Sequence, residues 1–238
     1  WRLTRIADEV LNRQLDAIAQ AAQNARANVW VMAPMIDTVA EAAEFAARHP
    51  TKVFVAGESA VPVSGKVFGE EELVAAVQAS LDFWLTAGPY AEEFESRLTE
   101  YLETPTLVLS SGTAALHCAY SAIGLKPGDE IITPPLTFIA TQATAALLGA
   151  IIRFADIDPE TGNIEPNEVK KLINEKTRAV VAVDYAGHPA ELRELKAITR
   201  DHNIFLVEDA AHSIGSKYFG HRVGGIADIT TFSFFPTK

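Results

Sequence analysis

Cysteine and basic residues are scarce in this sequence, and each shortage excludes a class of protein. With one cysteine, Cys118, among 238 residues, the chain can form no internal disulfide and no multi-cysteine zinc or iron–sulfur site. Lys and Arg number 20 against 31 Asp and Glu, which gives a net charge of -11. We therefore expect no nucleic-acid partner, because phosphate contacts need clustered basic side chains.

The sequence also lacks long apolar runs, a secretory leader pattern and Asn-x-Ser/Thr sequons. No run approaches the roughly 20 apolar residues of a membrane span, so we expect no membrane partner. Together these absences predict a cytoplasmic protein. The chain runs from Trp1 to Lys238, and we interpret it as part of a longer reading frame. Its composition, 48% hydrophobic and 21% charged, is typical of one large or two small globular domains.

Strands and helices alternate in the second half of the sequence. The predicted strands are 107–109, 130–133, 150–154, 179–183, 205–207 and 230–234, and the predicted helices lie near 113–123, 138–148, 166–174 and 190–202. Several strands are near-continuous apolar runs, as expected of a sheet that is covered on both faces. This alternation predicts an α/β protein, a three-layer α/β/α fold with a mostly parallel sheet. Ligands of such sheets bind at the carboxyl ends of the strands.

The first hundred residues have a different pattern. Residues 8–26 and 37–47 have helical spacing and flank a short apolar run at 29–32, so they predict a helix–strand–helix fragment. A connector with a short strand at 53–55 follows, and then two acidic helices at 70–84 and 89–102. We predict three regions: the fragment 1–50, a helical segment 51–105 and the α/β region 106–238.

Four segments at predicted strand ends carry side chains that could bind a ligand. The turn Ser110–Thr113 opens a helix, whose first N–H groups favour an anion such as phosphate. Asp209 ends a buried strand and needs a cationic partner, and His212 follows it by three residues. Phe138 could stack on a flat ring, and Lys238 follows an apolar strand through a proline turn that also carries Ser233.

Each of these segments also has an ordinary structural explanation. The Ser110–Thr113 turn could be a simple helix cap, Asp209 could be an N-cap, and Lys238 could be a solvated lysine. Their order on successive strand–helix units favours one ligand, pyridoxal 5′-phosphate. Its phosphate would lie at Ser110–Thr113, its ring against Phe138, its ring nitrogen at Asp209 and its aldehyde at Lys238. None of the histidines has metal-ligand spacing, so we predict no metal site.

From about residue 106 to residue 238 the sequence resembles the DegT/StrS-type nucleotide-sugar aminotransferases of fold type I. The motifs that carry the resemblance are SSGTAAL, LKPGDEIITPPLTFIAT, GAIIRFADID, VDYAGHPAEL, VEDAAHSIGSKY and FSFFPTK. The motifs look most similar to the branch that aminates UDP-linked keto-deoxy sugars for pseudaminic acid-type glycans. The resemblance implies a fold type I large domain that is incomplete at its C-terminus. We therefore expect the isolated chain to be poorly stable and weakly active.

The resemblance also implies roles for individual residues. Lys238 would be the Schiff-base lysine, Asp209 would pair with the pyridinium nitrogen, and His212 would neighbour the cofactor hydroxyl. The phosphate would be bound by Ser111, Gly112, Thr113 and Ser233, and Phe138 would stack on the ring. The implied reaction transfers an amino group from a glutamate-type donor to a nucleotide-linked keto-deoxy sugar, in a homodimer that serves polysaccharide or lipopolysaccharide biosynthesis.

Two other stretches are similar to different proteins. Residues 53–103 resemble pyridoxamine phosphate-dependent nucleotide-sugar dehydratases, which have histidine where this chain has Lys238, so the lysine favours transamination. A dehydratase and a non-catalytic fragment with this fold remain alternatives. Residues 1–48 resemble a piece of the phosphoenolpyruvate-binding barrel of phosphotransferase enzyme I, and we assign them no activity.

Overall fold

The computed structural model describes residues 69–83 and 86–235, together with Ala40, Ala43, Ala47 and Val55. The chain divides into two compact units, 1–52 with 68–83, and 53–67 with 84–238. Ala40, Ala43 and Ala47 are helical, as predicted for 37–47, and Val55 is not in a strand. The elements predicted at 8–26 and 29–32 lie outside the described residues, and the predicted division at 50 and 105 stays a prediction.

In the first unit, helix α1 (Glu70–Leu81) follows Gly69. The Gly69 N–H donates to the Glu72 carboxylate at 2.6 Å. Three glutamates in the first turn favour this start, because the positive end of the helix dipole attracts acidic side chains. The helix ends three residues before its predicted end, and Phe83 has a positive φ of 52° shortly after it.

The second unit contains an ordered series of helices and strands. The helices are α2 (Pro89–Leu102), α3 (Gly112–Ala122), α4 (Ala140–Leu147), α5 (Pro166–Leu172) and α6 (Leu192–Asp201), with a 3₁₀ turn at Tyr185–Gly187. The strands are β1 (Glu130–Thr133), β2 (Ile151–Phe154), β3 (Thr177–Val183), β4 (Phe205–Asp209), β5 (Lys217–Tyr218), β6 (His221–Arg222) and β7 (Ile229–Thr231). The short antiparallel β5–β6 hairpin was not predicted from the sequence.

The main sheet has five strands in the order β2-β1-β3-β4-β7. Every neighbouring pair in it is parallel, and Val183 of β3 stands opposite Asp209 of β4. The carboxyl ends of all five strands therefore meet at one edge, which we call the carboxyl edge of the sheet.

Two apolar clusters cover the two faces of this sheet. One face packs on α3 and α4, and its core contains Leu116, Tyr120, Ala145, Ile131, Val181 and Val207. The other face packs on α5 and α6, and its core contains Val169, Leu192, Leu195, Ile198, Val180 and Leu206. We call these the α3/α4 face and the α5/α6 face. The predicted α/β class with three layers is confirmed. No helix in the described ranges is both long and apolar enough to cross a bilayer.

The predicted strand at 107–109 is wrong. Residues 105–109 have no regular secondary structure, and Leu107 is 81% exposed. Helix α2 binds this segment instead: the Val108 N–H donates to Glu95 at 2.7 Å, and the Thr106 N–H donates to Thr99 at 3.1 Å. A strand needs a neighbour for its backbone hydrogen bonds, and none of the described strands pairs with this segment.

Candidate active site

Asp209 is a carboxylate at the carboxyl edge. It is the last residue of β4, and its residue exposure is 6%. One carboxylate oxygen accepts the Thr141 hydroxyl at 2.7 Å, and the other accepts the Ala211 N–H at 3.3 Å. Among the described residues no lysine or arginine forms an ion pair with Asp209. A nearly buried carboxylate with only neutral donors favours a cationic ligand group.

A hydrogen-bonded chain fixes Asp209 to the helices on the α3/α4 face. The Thr141 hydroxyl of α4 is also 2.8 Å from the Thr137 hydroxyl, and the Thr141 carbonyl accepts the Tyr120 hydroxyl of α3 at 2.7 Å. Burial and the nearby Asp209 carboxylate raise the pKa of Tyr120, so its phenol stays protonated as a donor. Helices α3 and α4 are thereby linked to the end of β4.

The start of α3 forms the second part of the site. Ser111 caps the helix by accepting the Ala114 N–H at 3.1 Å. The N–H groups of the first helical turn have no partner within a helix, so those of Gly112 and Thr113 can bind an anion. The α3 start lies against the chain that leaves β7, where Ser233 lies.

Gly112 is what permits this close approach. A Cβ atom at position 112 would lie 3.2 Å from the Ser233 Cβ and 3.4 Å from the Ser233 hydroxyl. The Ser233 hydroxyl also accepts the Phe235 N–H at 3.4 Å. Phe234, the residue between them, makes an edge-to-face contact with Phe94 of α2, with ring centroids 5.2 Å apart. The exit from β7 is therefore held on two sides.

Phe138 and His212 lie in the loops that follow β1 and β4 at the carboxyl edge. The Phe138 residue is 69% exposed, so its ring is available to a ligand rather than packed in the core. His212 is also exposed, and its carbonyl oxygen lies 2.9 Å from where a Cβ on Gly187 would be. Gly187 has a φ of +86°, so the turn after β3 fits closely against the loop of His212 only with glycine there.

The structure brings Ser111, Gly112, Thr113, Asp209 and Ser233 to the carboxyl edge, with Phe138 and His212 in its loops. Lys238 lies outside the described residues, and its position stays a prediction.

Sequence reasoning missed Thr141 and Tyr120. The spacing of Thr137 and Thr141, one helical turn apart just after the loop of Phe138, is a signal that could have identified the first.

These residues fit a flat, phosphorylated ring with a basic nitrogen. The α3 N–H groups and the Ser233 hydroxyl provide donors for a phosphate, and the missing side chain of Gly112 lets the backbone approach it. Asp209 provides a buried anionic acceptor for a protonated nitrogen. No group of three or more His, Cys, Asp or Glu side chains with metal-binding geometry occurs in the part of the chain that the structure describes.

Comparison with known proteins identifies the family of this chain. The sequence model of the DegT/DnrJ/EryC1/StrS aminotransferase family matches residues 68–238. The lipopolysaccharide biosynthesis protein RfbH of Salmonella typhimurium is 39% identical over 194 residues, which are 78% of this chain and 44% of RfbH.

Solved structures give the same result. PseC of Helicobacter pylori, an aminotransferase involved in the biosynthesis of pseudoaminic acid, superimposes with a TM-score of 0.70 at 34% identity, over 74% of this chain and 48% of PseC. Spr1654 of Streptococcus pneumoniae, described as a sugar aminotransferase and solved in its PMP form, gives a TM-score of 0.70 at 32% identity, over 75% and 49%. The chain thus spans about half the length of the proteins it matches, and it belongs to the DegT/DnrJ/EryC1/StrS aminotransferase family.

Proposed function

We propose that this chain carries the cofactor-binding part of a pyridoxal 5′-phosphate-dependent aminotransferase. The enzyme would move an amino group from a glutamate-type donor to a nucleotide-linked keto-deoxy sugar, in polysaccharide or lipopolysaccharide biosynthesis. The proposal depends most on one observation: Asp209 is nearly buried, accepts only neutral donors among the described residues, and lies at the same sheet edge as the α3 start and Ser233.

The described residues would bind different parts of the cofactor according to their charge. When bound, pyridoxal 5′-phosphate supplies an electron-accepting ring that carries the amino group between the two substrates. The N–H groups of Gly112 and Thr113, the Ser111 turn and the Ser233 hydroxyl would bind the phosphate. Asp209 would keep the ring nitrogen protonated, and the Thr141 hydroxyl holds the Asp209 carboxylate in place. Phe138 would cover one face of the ring and exclude water from it.

Lys238 and His212 complete the proposed set. From the family resemblance, the Lys238 amine would bind the cofactor covalently and then move a proton between carbon and nitrogen during the transfer. His212 would contact the ring hydroxyl. The sugar class is supported by RfbH, a lipopolysaccharide biosynthesis protein, and by PseC, an aminotransferase involved in pseudoaminic acid biosynthesis. The cytoplasmic location stays a prediction from the sequence.

The experiment is an absorbance titration of the purified chain with pyridoxal 5′-phosphate. We expect a visible band that depends on Lys238, is lost in Lys238→Ala and is removed when glutamate is added. Lys217→Ala is the matched control, because Lys217 is an exposed lysine on the β5–β6 hairpin. A band that is equal in the wild type and Lys238→Ala would contradict the proposal. Sugar product formation that survives Lys238→His would favour the dehydratase instead.

We propose further that the complete enzyme is a homodimer that pairs through the surface near the site. Large apolar side chains are exposed there: Phe138 is 69%, Ile139 is 67% and Phe235 is 65% exposed. Sedimentation equilibrium would test this with Ile139→Asp, which we expect to weaken association. Leu147→Asp is the control, because Leu147 is 79% exposed at the opposite end of α4. Equal association of the two variants would contradict this surface.

A further inference from the structure

Two carboxyl side chains are buried together on the α5/α6 face, behind the site. Glu208 precedes Asp209 in β4 and therefore points to the opposite face of the sheet. Asp184 follows β3 directly, beside the end of β4, where its N–H donates to the Asp209 carbonyl at 3.1 Å. Both residues have an exposure of 0%. We call Asp184 and Glu208 the carboxyl pair.

The hydrogen bonds of the carboxyl pair are unequal. Asp184 accepts the Ser213 hydroxyl at 2.6 Å and the Ala190 N–H at 3.0 Å. Glu208 accepts the Thr230 hydroxyl at 2.7 Å through Oε2, and the Gly224 N–H lies close to the same carboxyl group, while its buried Oε1 forms no hydrogen bond with the described residues. A buried oxygen without a donor is costly for a carboxylate, but it is the natural place for the proton of a carboxylic acid.

The surrounding charges favour the same assignment. In the described part of the chain no lysine or arginine forms an ion pair with either member. Among the described residues, the further carboxylate that acts on the pair is Asp209, which raises the pKa of Asp184. Burial raises the pKa of Asp184, and burial together with Asp184 raises the pKa of Glu208 to about 8. The two side chains are within hydrogen-bonding reach of each other, and two buried carboxylates in contact cannot both ionise at neutral pH without a large cost.

We propose that Asp184 and Glu208 share one proton at neutral pH and that this pair positions the loop that carries Asp209 and His212. Glu208 holds the proton on Oε1, and this O–H donates a hydrogen bond to the Asp184 carboxylate. Asp184 stays anionic and accepts Ser213, whose hydroxyl also lies 3.3 Å from the Ala210 carbonyl. Asp184 and Glu208 are positioning residues, because both are fully buried on the α5/α6 face, whereas Asp209 faces α4 on the other side of the sheet.

The coupling to the site runs through the loop 209–213. Ser213 follows His212 directly, and its N–H donates to the Ala210 carbonyl at 3.1 Å. Loss of the shared proton would place two negative charges side by side and push Asp184 away from Glu208. Ser213 would then lose a well-placed acceptor, and the Asp209 and His212 side chains would lose their fixed orientation. This consequence for ligand binding rests on the proposed function.

Infrared difference spectroscopy of the cofactor-free chain tests the shared proton. We expect a carboxylic-acid carbonyl band at slightly acid pH that disappears as the pH rises through about 8. Glu208→Gln should lose the band, because an amide has the shape of the acid but no ionisable proton. Glu194→Gln, an exposed residue paired with Lys170, should keep it.

A band that Glu208→Gln leaves unchanged, or no acid band at slightly acid pH, would overturn the shared proton. If Glu208→Gln does not fold, carbon-13 NMR of wild-type protein labelled at the glutamate carboxyl carbons tests the shared proton instead. The chemical shift of one glutamate carbon must then titrate at a pH well above that of the other glutamates.

The positioning role has a separate readout in the pH profile of pyridoxal 5′-phosphate affinity. We expect the wild type to lose affinity several-fold above about pH 8, and Glu208→Gln to show a flatter profile. A purely structural role would lower affinity equally at every pH. Identical profiles in both proteins would overturn the positioning role. Failure of the cofactor to bind at any pH, with the acid band present, would overturn the proposed function and the positioning role but leave the shared proton standing.

Discussion

Asp209 keeps its carboxylate almost out of contact with water because three elements enclose it. The strand β4 supplies its backbone, α4 supplies the Thr141 hydroxyl, and the following turn supplies the Ala211 N–H. An asparagine at this position could still accept the Thr141 hydroxyl through its amide oxygen. The charge can therefore be removed without removing the shape.

We expect Asp209→Asn to fold and to bind pyridoxal 5′-phosphate about 10- to 100-fold more weakly, since a hydrogen bond to a charged group is worth about 1.5–3 kcal/mol. Fluorescence or absorbance titration measures the dissociation constant. Asp201→Asn, at the exposed end of α6, is the control and should bind normally. Unchanged affinity in Asp209→Asn would show that the Asp209 carboxylate does not bind the cofactor.

Gly112 sets the distance between α3 and the exit from β7. In Gly112→Ala the new methyl group would lie 3.2 Å from the Ser233 Cβ, so one of the two segments must move by a few tenths of an ångström. We expect weaker binding of pyridoxal 5′-phosphate with a change in unfolding free energy below about 1 kcal/mol, because alanine also favours a helix over glycine.

Titration and urea denaturation of the same sample separate these two effects. Gly69→Ala is the matched control, because its Cβ would have an ordinary contact of 3.6 Å with Glu72 at the start of α1. Affinity that falls equally in both variants would show that the closeness of Gly112 to Ser233 is irrelevant.

At the start of helix α3, Ser111 affects both the stability of the helix and the binding of an anion there. The Ser111 hydroxyl caps the helix, so Ser111→Ala should lower the unfolding free energy by about 1 kcal/mol. Asparagine and aspartate both cap helices well, but only aspartate adds a negative charge where the phosphate would bind. We expect Ser111→Asn and Ser111→Asp to retain stability, and Ser111→Asp alone to lose cofactor affinity. Thermal melts and cofactor titration measure the two properties; equal affinities would contradict the phosphate assignment.

Local sequence signals determine most elements of the second unit. Pro89 and Leu102 bound α2 as predicted, because proline suits the first helical turn and the apolar spacing stops at residue 102. The near-continuous apolar runs within β3 and β4 predict strands covered on both faces, and both strands are central in the sheet. The apolar run at 107–109 predicts a strand equally well. A strand forms only where another strand is available to pair with it, and a local sequence pattern does not show whether one is.

At the scale of the molecule, the candidate site could be predicted only in part. Asp209, Phe138 and the α3 start follow from their places after predicted strands, since all parallel strands end at one edge. The contact of Gly112 with Ser233 and the bond from Thr141 to Asp209 join residues that are far apart in the sequence. Such contacts depend on strand order, and the order β2-β1-β3-β4-β7 cannot be predicted from the local sequence pattern of any one segment.

The whole chain should also lose stability at both ends of the pH scale. The folded state keeps a proton on Glu208 between its ordinary pKa and about 8, whereas the unfolded state has released it. Unfolding free energy therefore falls as the pH rises through this range, by at most ~1.4 kcal/mol per pH unit for one proton. Glu130 acts in the opposite direction: hydrogen bonds from Arg153 and Asn174 lower its pKa, so its contribution is lost as the pH falls.

Urea denaturation at about pH 6 and about pH 8.5 measures the alkaline limb of this dependence. We expect the wild type to be less stable at the higher pH and Glu208→Gln to lose most of that difference. The Asp184 carboxylate acts on Glu208 and Asp209 acts on Asp184, and neither aspartate is changed in this variant. If the unfolding free energy falls equally in the two proteins between these pH values, other groups cause the loss of stability at alkaline pH.

The strand order has a consequence for the timing of cofactor release. β3 and β4 each have a neighbour on both sides, whereas β7 has one neighbour among the described strands. Backbone amides of β3 and β4 should exchange with deuterium slowly, and those of β7 and the Ser233 segment faster. Transient opening would then free the phosphate group while Asp209 still holds the ring, so dissociation would proceed tail first. Mass spectrometry of deuterium uptake, with and without cofactor, would show the largest protection at residues 229–235.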